Sequence, residues 1–134
     1  MEAVFVDTSF WFTLANRKDS NHARAKTLLG TCRNIPLVTS NFVISETLTL
    51  ILARKGHPYA VAFGRRLYEE GRVRIQRISE EDEREAWRIF QRHSDQEFSY
   101  TDCSCFALMR RLGIRQALHF DADFDWMDFR APEP

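Results

Sequence analysis

Short unbroken apolar runs alternate along this chain with longer stretches in which apolar residues recur every three or four positions. Val4-Phe5-Val6, Ile35-Pro36-Leu37-Val38 and Ala117-Leu118-His119-Phe120 are runs of the first kind. Their length and continuity are those of parallel strands buried on both faces. Val73 to Ile78 alternates apolar and polar residues and reads as a strand at or near a sheet edge. The intervening stretches read as helices. One runs from Thr8 to Ala15, and one is capped by Asp19 or Ser20 and stopped at Gly30. A third follows the turn Thr39-Ser40-Asn41 and ends at Gly56, and a fourth runs from Pro58 to Gly71. Ser79-Glu80-Glu81-Asp82 caps a long amphipathic helix expected to turn Ala86, Trp87, Ile89 and Phe90 inward. Ser94 to Tyr100 reads as a loop, Asp102 to Leu112 as a helix stopped by Gly113, and Phe124 to Phe129 as a short final element.

Strands that alternate with helices in this way imply an α/β fold, a central mostly parallel sheet with helices on both faces. Ligands of such folds bind beyond the carboxyl ends of the strands. The length, 134 residues, suits one domain over residues 1–130, with 131–134 expected to be a frayed tail. No internal repeat, linker or low-complexity segment interrupts it.

Charge changes this picture little. The 19 basic residues balance 19 acidic ones, which excludes a uniformly basic nucleic-acid binder. Nearly all the bases are arginine, the better residue for bidentate phosphate contacts, and a neutral total is compatible with a basic rim around an acidic hole. The three cysteines, Cys32, Cys103 and Cys105, are too few and too irregular for a secreted disulfide framework. Cys103-Ser104-Cys105 has no second pair to complete a zinc site. The dispersed histidines form no Ser/His/Asp triad, and no glycine-rich loop cradles phosphate. No apolar run is long enough to span a bilayer, so the expectation is a cytoplasmic protein without a membrane partner.

The acids carry the chemistry. Asp7 ends the first apolar run, Asp102 opens a helix, and Asp121 closes the last strand run, so these three are expected at one sheet edge. Each has a structural explanation when taken singly: a helix cap for Asp7 and Asp102, a turn residue for Asp121. Glu46 lies on the apolar flank of its helix, where an ionised carboxylate is costly unless it is salt-bridged to an arginine or bound to metal. Carboxylates that converge repel one another, and the usual resolution is a hard divalent cation, Mg²⁺ or Mn²⁺.

The motifs around these acids resemble those of one family. Val4-Phe5-Val6-Asp7-Thr8-Ser9-Phe10-Trp11 resembles the opening of PIN domains, the small metal-dependent ribonuclease fold. Thr39-Ser40-Asn41-Phe42-Val43-Ile44-Ser45-Glu46-Thr47, Ser99-Tyr100-Thr101-Asp102-Cys103 and Leu118-His119-Phe120-Asp121-Ala122-Asp123-Phe124 resemble its second, third and fourth motifs. Order, spacing and length are similar to the VapC-type toxins of toxin–antitoxin pairs. The family's fourth motif often carries threonine where this chain has His119. The resemblance implies a PIN-like three-layer sandwich and a metal-dependent endoribonuclease leaving 5′-phosphate and 3′-hydroxyl ends. It implies that Asp7, Glu46, Asp102 and Asp121 hold Mg²⁺ or Mn²⁺, with Asp123 auxiliary and Asp125 facing solvent. Thr8, Ser9 and Thr101 would support the site, and Arg54, Arg110 and Arg111 would hold flanking RNA phosphates. It also implies a small cognate antitoxin and a homodimer, with Phe10, Trp11 and Phe12 divided between core and partner contacts. A housekeeping PIN nuclease acting on RNA or DNA, a phosphatase or receiver-like domain, and a non-catalytic interaction module are the alternatives.

Overall fold

The computed structural model describes residues 2–133. Four parallel strands, β1 (Val4–Val6), β2 (Leu37–Ser40), β3 (Val73–Gln76) and β4 (Gln116–Leu118), form one sheet in the order β3-β2-β1-β4. Seven helices connect and follow them: α1 (Thr8–Ala15), α2 (His22–Thr31), α3 (Asn41–Lys55), α4 (His57–Glu69), α5 (Glu80–Arg92), α6 (Tyr100–Leu112) and α7 (Ala122–Trp126). The connections from β1 to β2 and β2 to β3 step one way across the sheet, and the connection from β3 to β4 steps back past β1. Right-handed crossovers therefore lay α1 to α4 on one face and α5 and α6 on the other. The direction reverses between β1 and β4. In an open parallel sheet, that reversal leaves a crevice at the carboxyl ends of the two strands.

The strands are buried for the reason their composition suggests. Val4, Phe5 and Val6 are fully inaccessible, and Phe10, Phe106, Leu108, Met109 and Phe124 close over them from the helices. Polar groups pin the layers in register. Thr39 Oγ1 donates to the Val6 carbonyl (2.9 Å) and accepts from Trp11 Nε1 (3.3 Å), tying β2 to both β1 and α1.

Several elements depart from the sequence expectation. β2 begins at Leu37, since Pro36 has no N–H to give the ladder, although its carbonyl accepts from Val4 N at 2.9 Å. Thr39 and Ser40 belong to the strand, and Ser40 doubles as the N-cap of α3 by accepting from Val43 N. β4 stops at Leu118, because His119 and Phe120 turn away to make the side-chain contacts described below. α6 starts at Tyr100, with Ser99 as N-cap and Asp102 at the third position. On α5, Asp82, Ala86 and Ile89 face the core, whereas Trp87 (53% exposed) and Phe90 (42%) stack on each other at the surface. Positions 82, 86 and 89 lie on one helical stripe, and 87 and 90 fall off its flank. Near the tail, the Arg130 carbonyl accepts from Ala117 N at 3.1 Å, and Pro132 is buried. Pro134 lies outside the described residues.

Candidate active site

Asp7 follows β1 and caps α1; Asp121 follows β4 and caps α7. Both therefore stand at the crevice where the strand order reverses. Ser9 fastens the two segments together. Its Oγ donates to Asp7 Oδ2 at 2.7 Å and accepts from Phe120 N at 3.0 Å, while Ser9 N also donates to Asp7 Oδ2. One Asp7 oxygen is thus fully engaged. The other, Oδ1, is buried and has no hydrogen-bond partner among the described residues, and the neighbouring Thr8 Oγ1 is in the same condition.

Asp102 arrives from the opposite face on the first turn of α6. A capping box holds it: Asp102 N donates to Ser99 Oγ (3.0 Å), and Ser99 N donates to Asp102 Oδ2 (3.3 Å). Cap and candidate ligand, alternatives in the sequence, are here the same residue, because one oxygen suffices for the cap. Asp121 Oδ1 accepts from Asp123 N at 2.9 Å. Asp102, Asp121 and Asp123 each bring an oxygen within 4.8 Å of the others. Asp123 thus enters the cluster beside Asp121, while Asp125 is exposed and turns toward His119.

Burial and mutual repulsion leave their mark on the acids. Burial raises Asp7 from 3.8 to about 6, against the hydrogen bonds from Ser9, and the Asp121 charge adds to the rise. Burial, then the charges of Asp7 and Asp121, push Asp102 up to about 7. Asp123 is raised by burial and by Asp121. Glu46 is half-buried on α3 and has no hydrogen bond or ion pair among the described residues, so the arginine salt bridge is absent. It belongs to the same neighbourhood: the buried Cys105 thiol is pushed well up by burial and by Asp7, Asp102 and Glu46 together. Burial pushes the Cys103 thiol to about 12, so neither cysteine is a thiolate for zinc.

This donor set fits a hard cation. It offers oxygen ligands only, an unpartnered buried carboxylate oxygen, and carboxyls that retain protons near neutrality for want of positive charge.

The arginines expected to hold RNA are placed elsewhere. Arg54 and Arg110 each follow the acid of their own helix by eight residues, about 12 Å of helical rise, and so lie toward the amino edge of the sheet. Arg111 is committed to Asp82, donating from Nε at 2.6 Å and from Nη2 at 2.9 Å. These are positions where arginine complements a helix C-terminus. Sequence reasoning missed Arg77, exposed directly after β3 at the carboxyl edge, and Arg24 and Arg130, which line a small cavity with Asp121. For Arg77 the signal was available: it stands to β3 as Asp7 stands to β1. Nothing local marked the other two.

His119, in place of the expected threonine, is buried and stacked on Phe124. Its Nδ1 accepts from Asp121 N at 3.2 Å, so Nε2 carries the hydrogen. Burial holds its pKa below the usual value against the pull of Asp125 and Asp121.

The chain is similar to known proteins along nearly its whole length. The PIN domain family profile matches residues 4–130. The chain is 39% identical over 131 residues, 98% of each sequence, to the 23S rRNA-specific endonuclease VapC20 of Mycobacterium tuberculosis. The crystal structure of that protein, described as a sarcin-ricin loop cleaving toxin, superposes with a TM-score of 0.91 at 38% identity, covering 98% of this chain and 99% of that one. VapBC2 from Rickettsia felis, bound to a promoter DNA fragment, shares the fold at a TM-score of 0.70 and 10% identity, with 97% of each chain covered.

Proposed function

The chain belongs to the PIN-domain family, and from that premise we propose that it is a metal-dependent endoribonuclease acting as the toxin of a toxin–antitoxin pair. The observation that carries the proposal is the convergence of acids at the β1/β4 crevice, with one Asp7 oxygen buried and unpaired. Whole-length similarity to a 23S rRNA endonuclease makes ribosomal RNA the first substrate to test.

Asp7, Asp102, Asp121 and Asp123 would hold Mg²⁺ or Mn²⁺, with Glu46 at the edge of the set. When bound, such a cation supplies Lewis-acid activation of water and of the scissile phosphate. The rest is the work of the chain. Ser9 fixes the Asp7 carboxylate and the β4–α7 turn in one arrangement, and Ser99 fixes Asp102. Asp7 and Asp102 release their protons when positive charge arrives, so binding is favoured as pH rises through about 6 to 7. Thr8 and Thr101 lie beside Asp7 and Asp102 as polar support. Arg77, exposed at the carboxyl edge, offers charge to the RNA backbone.

An antitoxin would occupy a second cavity, about 650 Å³, which has Trp11, Leu14 and Phe63 in its walls and Arg17 and Lys18 beside them. Apolar walls with basic residues beside them suit an amphipathic segment carrying acids. Phe10 goes to the core, and Trp11 serves core and cavity both. For the homodimer, the exposed pair Trp87 and Phe90 supplies an apolar contact.

Protein freed of antitoxin should cleave RNA with Mg²⁺ or Mn²⁺ and stop in chelator. Its expression alone should arrest growth, and Asp7→Asn should abolish both effects. Equal cleavage with chelator present, after removal of contaminating nuclease, overturns the metal mechanism. Harmless expression of folded, RNA-cleaving protein overturns the toxin role in favour of a housekeeping PIN nuclease.

A further inference from the structure

Beside the acid cluster, with Asp121 in the shared wall, opens a cavity of about 540 Å³. That is the size of a small-ligand pocket, ample for one nucleotide. Phe120 and Pro132 give it apolar wall, Arg24 and Arg130 bring guanidinium groups, and Asp125 and His119 complete the polar lining.

The polar groups are available. Arg24 is exposed and has no ion pair among the described residues. Among the described residues Arg130 has one ion pair, with Asp128 at 3.3 Å, in a solvent-exposed contact of the kind that contributes little. The His119 side chain is 4% exposed, and its Nε2–H has no well-aligned hydrogen-bond partner among the described residues, although the Phe129 backbone lies near the ring. Asp125 Oδ1 lies 3.4 Å away without the alignment to accept from it. A buried donor left unpaired is costly, and a carboxylate drawn slightly inward by a ligand would satisfy it.

The occupant follows from the mixture. A free phosphate would meet the carboxylates of Asp121, Asp125 and Glu133, which offset the two arginines. A purely apolar group would strand every polar one. A nucleobase presents a flat face to Phe120 and Pro132 and an edge bearing both donors and acceptors. Of the RNA bases, guanine alone offers two adjacent N–H groups, at N1 and N2, to one carboxylate and two adjacent acceptors, O6 and N7, to an arginine fork. We propose that this cavity receives a guanine of the RNA next to the scissile phosphate. Asp125 reads its N1–H and N2–H, Arg24 or Arg130 reads O6 and N7, and His119 positions Asp125. The inference rests on the ribonuclease reading above and adds a base preference to it.

Two measurements test it. In the first, the chelated full-length protein is titrated with guanosine, adenosine, cytidine and uridine 5′-monophosphates and followed by NMR. Saturable shifts at His119, Phe120 and Asp125 with the guanosine nucleotide are expected. Asp125→Asn, or the double change Arg24→Ala with Arg130→Ala, should weaken that binding by about tenfold or more. In the second, the metal-loaded protein cleaves short single-stranded RNAs randomised on either side of the cut. The wild type should select guanine at one fixed position. The variants should lose the selection through KM, with kcat little changed, and melting curves check that they are folded. Cleavage without guanine preference, or preference undiminished in both variants, overturns the inference and leaves the nuclease reading standing. If no RNA is cut, the nuclease reading falls, and the nucleotide titration alone decides the pocket: equal or absent binding of all four overturns it.

Discussion

Replacing Asp7 by asparagine should make the chelated protein more stable while abolishing its activity, and the size of the gain follows from the site. Asp7 is 2% exposed, and its pKa stands at about 6 in place of 3.8. The difference is about two units, each worth about 1.36 kcal/mol, so ionised Asp7 costs the fold about 3 kcal/mol. The folded chain binds more protons than the unfolded one between those two values. Stability from this group is therefore complete below about pH 4, declines as pH rises toward 6, and is fully lost above about pH 7. The amide keeps an acceptor for Ser9 Oγ but gives up the charge that strengthens that bond, which returns about 1 kcal/mol. A net gain of about 2 kcal/mol remains at pH 8. For a chain of 134 residues the unfolding entropy is about 0.3 kcal/mol per kelvin, so Tm should rise by about 7 °C. At pH 4 the gain should vanish. Mg²⁺ or Mn²⁺ should raise the Tm of the wild type at pH 8 and leave the variant nearly unmoved. The assay is a thermal melt at both pH values, with chelator and with each ion. A variant less stable than the wild type at pH 8, or an equal gain at both pH values, refutes the claim that Asp7 is a carboxylate held without its counter-charge.

Five other substitutions separate the roles of these residues. Ser9→Ala removes the link from Asp7 to Phe120 N, and kcat should fall about 10- to 100-fold with only a small loss of Tm; an unchanged kcat with a large Tm loss would make Ser9 structural. Glu46→Gln should weaken Mn²⁺ binding in calorimetric titration and leave the melt of the chelated protein within about 0.5 kcal/mol, since no ion pair is broken; marked destabilisation would reveal a structural partner. Arg111→Ala should cost about 2 kcal/mol in urea unfolding by stranding the buried Asp82, with cleavage per folded molecule retained. Arg54→Ala and Arg110→Ala should leave KM for RNA within about twofold, whereas a larger rise would return those arginines to the RNA path.

The alternation of apolar runs and helical stretches was enough for the architecture. A residue that directly follows a buried parallel strand is bound to lie at the sheet's carboxyl edge, which is why Asp7 and Asp121 were legible. Strand ends were less so, because side-chain bonds fixed them: His119 and Phe120 read as β4, yet bonds to Asp121 N and Ser9 Oγ pull them out of the ladder. Trp87 and Phe90 showed the limit of counting apolar residues, for only their angle about α5 sends them to the surface. Composition could not choose among sixteen arginines. Helix ends claimed Arg54 and Arg110, and Asp82, 29 residues away, claimed Arg111. The sequence by itself determined the class of fold and the place of Asp7 and Asp121 at the sheet's carboxyl edge, since each follows from local pattern. Only the tertiary structure decided that Asp123 joins the cluster, that Ser9 spans 111 residues to reach Phe120, and that Arg24 and Arg130 line one cavity with Asp121. Those relations are made between distant segments, and the packing that brings distant segments together leaves no trace in the spacing along either one.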